Sequence, residues 1–199
     1  DINRKKMLSY KESLKILKET NALLEGHFIL SSGLHSSKYV QCAQLLSKPW
    51  KALKVCTSLA EKIKNEFKKI DLILTPAIGG IVVGYEIGRL LNIETIFCER
   101  VDNNFTLRRD FNIHKNSNVL IIEDVITTGK SSLECSKLVI NAQANILGYA
   151  CIIDRSNGHS EIKKKIISQI EINIPTYNKE NLPDELSKIK AIKPGSRGI

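Results

Sequence analysis

Long apolar runs are missing from this 199-residue chain, and none approaches the ~20 residues that a membrane helix requires. No membrane partner is therefore expected. Aromatic residues are scarce, at 6% with a single tryptophan, whereas a groove for single-stranded nucleic acid needs stacking rings. No fixed period runs through the chain, which excludes collagen-like, coiled-coil and repeat architectures. The five cysteines, Cys42, Cys56, Cys98, Cys135 and Cys151, are odd in number, far apart and free of any Cys-x-x-Cys. They read as reduced, core-filling thiols of a cytoplasmic protein. His27, His35, His114 and His159 lack metal-ligand spacing, so no structural zinc site is expected. The opening hexapeptide, Asp1 to Lys6, leads into an amphipathic segment and not into a signal-peptide core.

What is present is the composition of a globular domain, 42% hydrophobic and 26% charged, long enough for one domain or one with a small cap. Thirty Lys and Arg against twenty-one Asp and Glu leave a net charge of +9. Such a surplus can bind nucleic acid, draw in a polyanionic small substrate, or simply solvate helix faces. The lysines are scattered (Lys15, Lys18, Lys51, Lys54, Lys62, Lys64, Lys68). With so few aromatics, that scatter disfavours a nucleic-acid partner. Charge does not decide between the other two readings.

Ser9 and Glu12 form a capping box ahead of a helix with Leu14, Ile16 and Leu17 on its inner side. Gly26 to Gln44 breaks into a turn at Ser31-Ser32-Gly33 and short alternating stretches. Ser47 and Pro49 restart a helix, with Leu53, Cys56, Leu59, Ala60, Ile63 and Phe67 as its buried stripe. Strand and helix then alternate. Apolar runs at 71–75, 94–98, 119–122 and 146–153 are separated by helical patterns, as in a parallel sheet covered on both faces. We expect an α/β fold with a mainly parallel central sheet. Residues 49–158 would form the core, with 1–48 and 159–199 packing together as a smaller cap or hood. Parallel sheets bind ligands beyond the carboxyl ends of their strands. Here those ends carry Pro76 to Gly80, Glu99-Arg100, Glu123-Asp124 and Asp154-Arg155.

The segment from Val119 to Ser131 holds most of the information. After a buried strand come Glu123 and Asp124, then Val125, Ile126, Thr127, Thr128, Gly129, Lys130 and Ser131 entering a helix. The second half suits an anion: hydroxyls of Thr127, Thr128 and Ser131, with backbone N–H groups freed by Gly129 at a helix N-terminus. The first half offers acceptor-only carboxylates, which suit a diol or a hydrated Mg²⁺ brought by a substrate. A phosphate beside a vicinal diol describes a ribose 5-phosphate. Gly129-Lys130-Ser131 is not a nucleotide P-loop, because Asp124 stands where that motif needs glycine and would repel a triphosphate.

This segment resembles the signature for 5-phosphoribosyl 1-pyrophosphate (PRPP) in type I phosphoribosyltransferases, whose mainly parallel core and variable hood agree with the layout above. Leu23 to Tyr39, with Ser32-Gly33 at its centre, is similar to the Ser-Gly base-pocket loop of the orotate branch. Arg155 matches the arginine that grips the base, as a planar carboxylate requires. Much of the family has lysine at Ser31 and a Tyr-Lys pair at Ile78-Gly79. Many members also carry a loop with lysine and histidine after the strand ending near Glu99. This chain instead has Leu107-Arg108-Arg109-Asp110-Phe111, like another branch of the family.

The resemblance implies transfer of the phosphoribosyl group from PRPP to orotate. It assigns Glu123 and Asp124 to the ribose hydroxyls and Thr127 to Ser131 to the 5-phosphate, with Val125 and Ile126 also in the PRPP-binding run. Gly79, Gly80, Arg100, Arg108 and Arg109 fall to pyrophosphate, and Arg155, Thr127, Ser32 and Gly33 to orotate. It further implies Mg²⁺ carried by PRPP near Glu123 and Asp124 without a direct protein site. Residues 100–111 would act as a lid reaching the other subunit of a homodimer. A transferase for another base, or a nucleotide-sensing regulator on the same fold, is the alternative.

Overall fold

The structure, a computed structural model, describes residues 7–194; the opening hexapeptide and residues 195–199 lie outside the described residues. Helix α1 (Tyr10–Glu19) begins at the expected capping box, with the Glu12 N–H donating to Ser9 Oγ at 3.2 Å and the Ser9 N–H to Glu12 Oε2 at 2.8 Å. Strands β1 (Leu23–Ile29) and β2 (His35–Val40) form an antiparallel hairpin, followed by α2 (Cys42–Leu46) and α3 (Pro49–Glu66). Helix α3 buries Ala52, Val55, Cys56, Leu59, Ala60 and Ile63. Leu53, expected in that stripe, is 42% exposed. At 3.6 residues per turn it falls about a quarter-turn from the stripe's centre, at its edge.

The chain then runs through β3 (Leu72–Pro76), α4 (Gly79–Leu91), β4 (Thr95–Val101), β5 (Asn104–Thr106), β6 (Asn118–Ile126), α5 (Lys130–Asn141) and β7 (Asn145–Asp154). It closes with β8 (Ile166–Glu171), β9 (Thr176–Tyr177) and α6 (Asp184–Ser187). The large sheet has the order β5-β4-β3-β6-β7-β8, parallel except for the edge strand β5. Leu120 and Ile122 of β6 face a core shared with α3 and α4, while Val119 and Ile121 face a second core containing Cys135 and Val139 of α5. All four expected strands are present, and all five cysteines are free and buried.

The C-terminal segment departs from expectation. It does not pack with the hood as a unit, because β8 extends the large sheet beside β7. Its sequence, Ile-Ile-Ser-Gln-Ile-Glu, has polar interruptions that hide a strand from an apolar-run criterion. Tertiary partners take up part of this polarity: Gln169 Nε2 donates to Ser13 Oγ at 2.9 Å, and Lys62 Nζ reaches the carbonyls of Ser168 and Gln169 at 3.1 and 3.0 Å, while Gln169 Oε1 is left unpaired. Helix α1 thus lies against the core sheet as well. The hood proper is the three-stranded sheet β1-β2-β9, with Ile192 bridging to Phe28. Inside it, His27 Nε2 and His35 Nδ1 stand 2.7 Å apart, and His27 Nδ1 meets the Ile189 carbonyl at 2.8 Å. That carbonyl can only accept, so His27 carries its proton on Nδ1.

Helix α4 approaches β3 closely because its buried face carries Gly80, Gly84 and Gly88. A Cβ at Gly84 would stand 2.1 Å from Thr75 Cγ2. Gly84→Ala should therefore destabilise the fold by about 1–3 kcal/mol through overpacking. Adding Thr75→Ser, which removes that methyl, should recover most of the loss. Urea-unfolding midpoints of the single and double variants check this, and a double variant no better than Gly84→Ala would refute it.

Candidate active site

The parallel topology brings the carboxyl ends of β3, β4, β6 and β7 to one edge. Strand β6 sits between β3 and β7, with Val119 to Ile122 buried on both faces. Alternation along the strand sends Glu123 and Asp124 to opposite faces, so they flank the strand end instead of forming one pincer. Glu123 lies on the α5 side, where Ser132 Oγ donates to its Oε2 at 2.5 Å. Asp124 lies against the start of α4: a Cβ on Gly79 would stand 2.9 Å from Asp124 Oδ2. The missing side chain at Gly79 is the space that the carboxylate occupies. The Cys42 thiol, at the foot of the hood, donates to the Asp124 carbonyl at 3.8 Å.

Burial raises the pKa of both acids. Glu123 is pushed up to about 7 by desolvation, with the Asp124 charge adding to it, while the Ser132 hydroxyl and the Arg100 charge pull the other way. Asp124 is also raised by burial, against the hydrogen bond its Oδ1 accepts from the Val125 N–H at 2.8 Å. Two carboxyl groups held in a desolvated strand end and titrating upward mark a functional site rather than a stabilising one.

Thr127 to Gly129 form the loop between β6 and α5, with Thr127 and Thr128 exposed and Gly129 at φ 82°. A Cβ at Gly129 would meet Ile162 at 2.8 Å, and the Glu161 N–H donates to the Thr128 carbonyl at 2.8 Å, so residues 160–162 buttress the loop from behind. Helix α5 starts at Lys130 without a side-chain cap, and its first N–H groups have no acceptor within the helix. That is an anion cradle with Ser131 beside it. Val125 and Ile126 stand apart from this cradle. Both continue β6, the Val125 N–H is held by Asp124, and the Ile126 carbonyl accepts from the Arg155 N–H at 2.9 Å. The resemblance likewise gives the 5-phosphate to Thr127 to Ser131 and places these two only within the PRPP-binding run.

The register Ile126↔Asp154 makes Thr127 and Arg155 neighbours at adjoining strand ends. Arg155 is half-buried, its Nε has no hydrogen-bond partner, and burial lowers its pKa. A buried guanidinium nitrogen without an acceptor is costly unless an anionic ligand supplies one. Gly79 and Gly80 begin α4, with Gly80 packed under the Ile122 carbonyl.

The loop arginines are partnered differently. Arg100 Nη2 donates to Glu134 Oε2 at 2.6 Å and Nη1 to the Asn103 carbonyl at 2.9 Å, with its carbon 4.1 Å above the Phe105 ring centroid. Arg109 makes a two-pronged pair with Glu99, both contacts at 3.0 Å. Arg108 is exposed and pairs with no acid among the described residues. Ser32 and Gly33 occupy the exposed tip of the β1–β2 hairpin. The six residues of β2, about 20 Å of strand, separate that tip from Cys42 beside Asp124. Among the described residues neither is bonded to Arg155 or to the acid pair. Sequence reasoning missed Ser132 and Glu134, whose only signal was their place on the first turns of the helix after the loop.

Glu123 makes stability depend on pH. Its folded pKa lies above the unfolded 4.5, so its contribution is complete below pH 4.5 and lost as pH rises through 7. Glu123→Gln is neutral throughout. The variant should therefore exceed the parent's unfolding free energy at pH 8 by about 3 kcal/mol, and the gap should shrink toward pH 5. Urea titrations at both pH values read this out; equal stability at pH 8 would count against a buried, charge-strained Glu123.

Comparison with known proteins adds the following. Residues 44–184 match the phosphoribosyl transferase domain family. The chain is 46% identical over 177 residues to an orotate phosphoribosyltransferase of Rhizorhabdus wittichii, covering 88% of this chain and 90% of that protein. It is 45% identical over 189 residues to the orotate phosphoribosyltransferase of Parvibaculum lavamentivorans, covering 93% and 97%. The crystal structure of orotate phosphoribosyltransferase from Aeropyrum pernix superimposes with a TM-score of 0.70 at 21% identity, covering 79% of this chain and 92% of that one.

Proposed function

The chain belongs to the phosphoribosyl transferase domain family and, within it, to the orotate phosphoribosyltransferases; from that membership we propose how its residues carry the reaction. The protein moves the 5-phosphoribosyl group from PRPP to orotate, giving orotidine 5′-monophosphate and pyrophosphate in pyrimidine synthesis. The observation that carries the assignment of the base is Arg155. Its buried Nε has no partner beside Thr127, and orotate brings the carboxylate that a purine lacks.

Thr127 to Ser131 and the N-terminus of α5 hold the 5-phosphate. Glu123 and Asp124, on the two sides of β6, take the ribose hydroxyls and balance the positive charge that develops on the ring. Gly79 and Gly80 let backbone approach the pyrophosphate, with Arg100, Arg108 and Arg109 as its clamps. Arg155 and Thr127 orient orotate so that its ring nitrogen faces C1, and Ser32-Gly33 closes over the base as the hood tip folds down. The nitrogen–C1 bond forms as the C1–pyrophosphate bond breaks. Catalysis is positioning plus electrostatic stabilisation of an oxocarbenium-like transition state. Residues 100–111 act as the lid that keeps water from the cation.

Glu123 and Asp124 present the hard oxygen donors that Mg²⁺ takes, and among the described residues no group of three or more His, Cys, Asp or Glu gathers to hold an ion by itself. This donor set fits a Mg²⁺ that arrives on PRPP. When bound, it offsets the charge growing on pyrophosphate. The working unit is a homodimer whose lid reaches the second subunit. In support, Ile78, Val82 and Tyr85 form an exposed apolar stripe on α4, and Trp50 and Leu53 are exposed on its neighbour α3. Among the described residues no helix is long and apolar enough to cross a membrane, and the five free thiols support a cytoplasmic location.

Consumption of orotate, followed by its ultraviolet absorbance after adding PRPP, Mg²⁺ and protein, is the direct test; no change would end the proposal. Asp124→Asn should keep the fold and lower turnover by at least ~10²-fold. Arg155→Ala should raise the KM for orotate while leaving that for PRPP unchanged, and equal loss of both would remove it as the base clamp. Val82→Asp should shift the sedimentation coefficient from dimer to monomer.

A further inference from the structure

We infer that Glu134 is a positioning residue for the transfer, setting the guanidinium of Arg100 at the pyrophosphate side of the site; this rests on the function proposed above. Arg100 lies near the end of β4, one strand removed from β6 across β3, and its long side chain comes close enough that its charge acts on Glu123. Three contacts fix its plane: Glu134 Oε2 at 2.6 Å, the Asn103 carbonyl at 2.9 Å and the Phe105 ring at 4.1 Å. A guanidinium has five N–H donors, and these contacts engage two. The remaining donors stay available while the long side chain has already lost its freedom, so a ligand oxyanion meets a preorganised group.

What makes Glu134 more than a surface partner is the helix that carries it. Helix α5 begins at the phosphate loop, and Glu134 lies one turn above Lys130 and Ser131 on the same side. Between them Ser132, fully buried, holds Glu123. The first two turns of α5 therefore reach three parts of the site: the loop for the 5-phosphate, one ribose-facing acid and the pyrophosphate arginine. A rigid helix end fixes the spacing between groups that must grip one PRPP molecule at both of its ends. The side chains of Arg100 and Glu134 are 42% and 26% exposed, so solvent partly screens their attraction, and the orientation is set by the short Glu134 contact together with Asn103 and Phe105.

Glu134 could instead mask Arg100 until substrate displaces it, and the two roles differ in sign. If Glu134 positions Arg100, Glu134→Ala should raise the KM for PRPP about tenfold and lower kcat, with the orotate KM unchanged. Glu134→Gln should restore most of the loss, because its amide oxygen still accepts from Nη2. The pair Arg100→Ala and Glu134→Ala should be no worse than Arg100→Ala alone. Steady-state kinetics of these four variants against the parent decides the matter. A PRPP KM that is unchanged or lower in Glu134→Ala, or losses that multiply in the double variant, overturns the inference; multiplication is also what damage to the fold would give. The parent's own consumption of orotate in the same assay tells failure of this inference from failure of the proposed function.

Discussion

Burial of β6 on both faces is the constraint from which the rest of the site follows. Leu120 and Ile122 face one core and Val119 and Ile121 the other, all fully buried. A strand held that way cannot slip in register without turning its apolar set around. The two acids that end it are therefore carried to the sheet edge and forced onto opposite sides. Each is desolvated by the same packing that anchors the strand, which is why both titrate upward. The neighbouring elements are shaped to this. Gly79 leaves room for the Asp124 carboxylate, and Ser132 supplies the hydrogen bond that keeps Glu123 from rising further.

Charge in this protein works locally. The net surplus of +9 describes a surface of dispersed lysines, and exposed pairs such as Lys18–Glu25 contribute little to stability. The cations that matter are few and individually held: Arg100 by Glu134 and Arg109 by Glu99 on the loop, and Arg155 half-buried at the end of β7. The first two have acidic partners, while Arg155 has no acceptor at Nε. Arg100 and Arg109 are thus held by carboxylates close to them in the fold, whereas Arg155 is held by burial with its Nε left unpaired.

The fold was legible wherever periodicity was strong. Apolar runs ending in Pro76, Cys98, Ile122 and Ile153 became parallel strands, and the capping box at Ser9 started its helix. Legibility failed where tertiary partners override pattern. Strand β8 carries Ser168 and Gln169 at positions that look solvent-facing, but Ser13 accepts from the Gln169 amide and Lys62 donates to the carbonyls of both residues inside the fold. Leu53 fits the helical stripe by spacing yet sits at its edge, because the sheet that α3 packs on decides which arc is covered.

The amino-acid order by itself determined the chemistry on offer: paired acids after a buried strand, a hydroxyl and glycine loop entering a helix, and an arginine at a strand end. Local patterning suffices for these because each lies within one stretch of chain. Which groups meet was decided only by the tertiary structure. Glu123 with Ser132, Asp124 with Gly79, Thr127 with Arg155 and Arg100 with Glu134 are joined by strand register and helix placement. Those relations depend on how separate segments bury their apolar faces against one another, and no single segment encodes them.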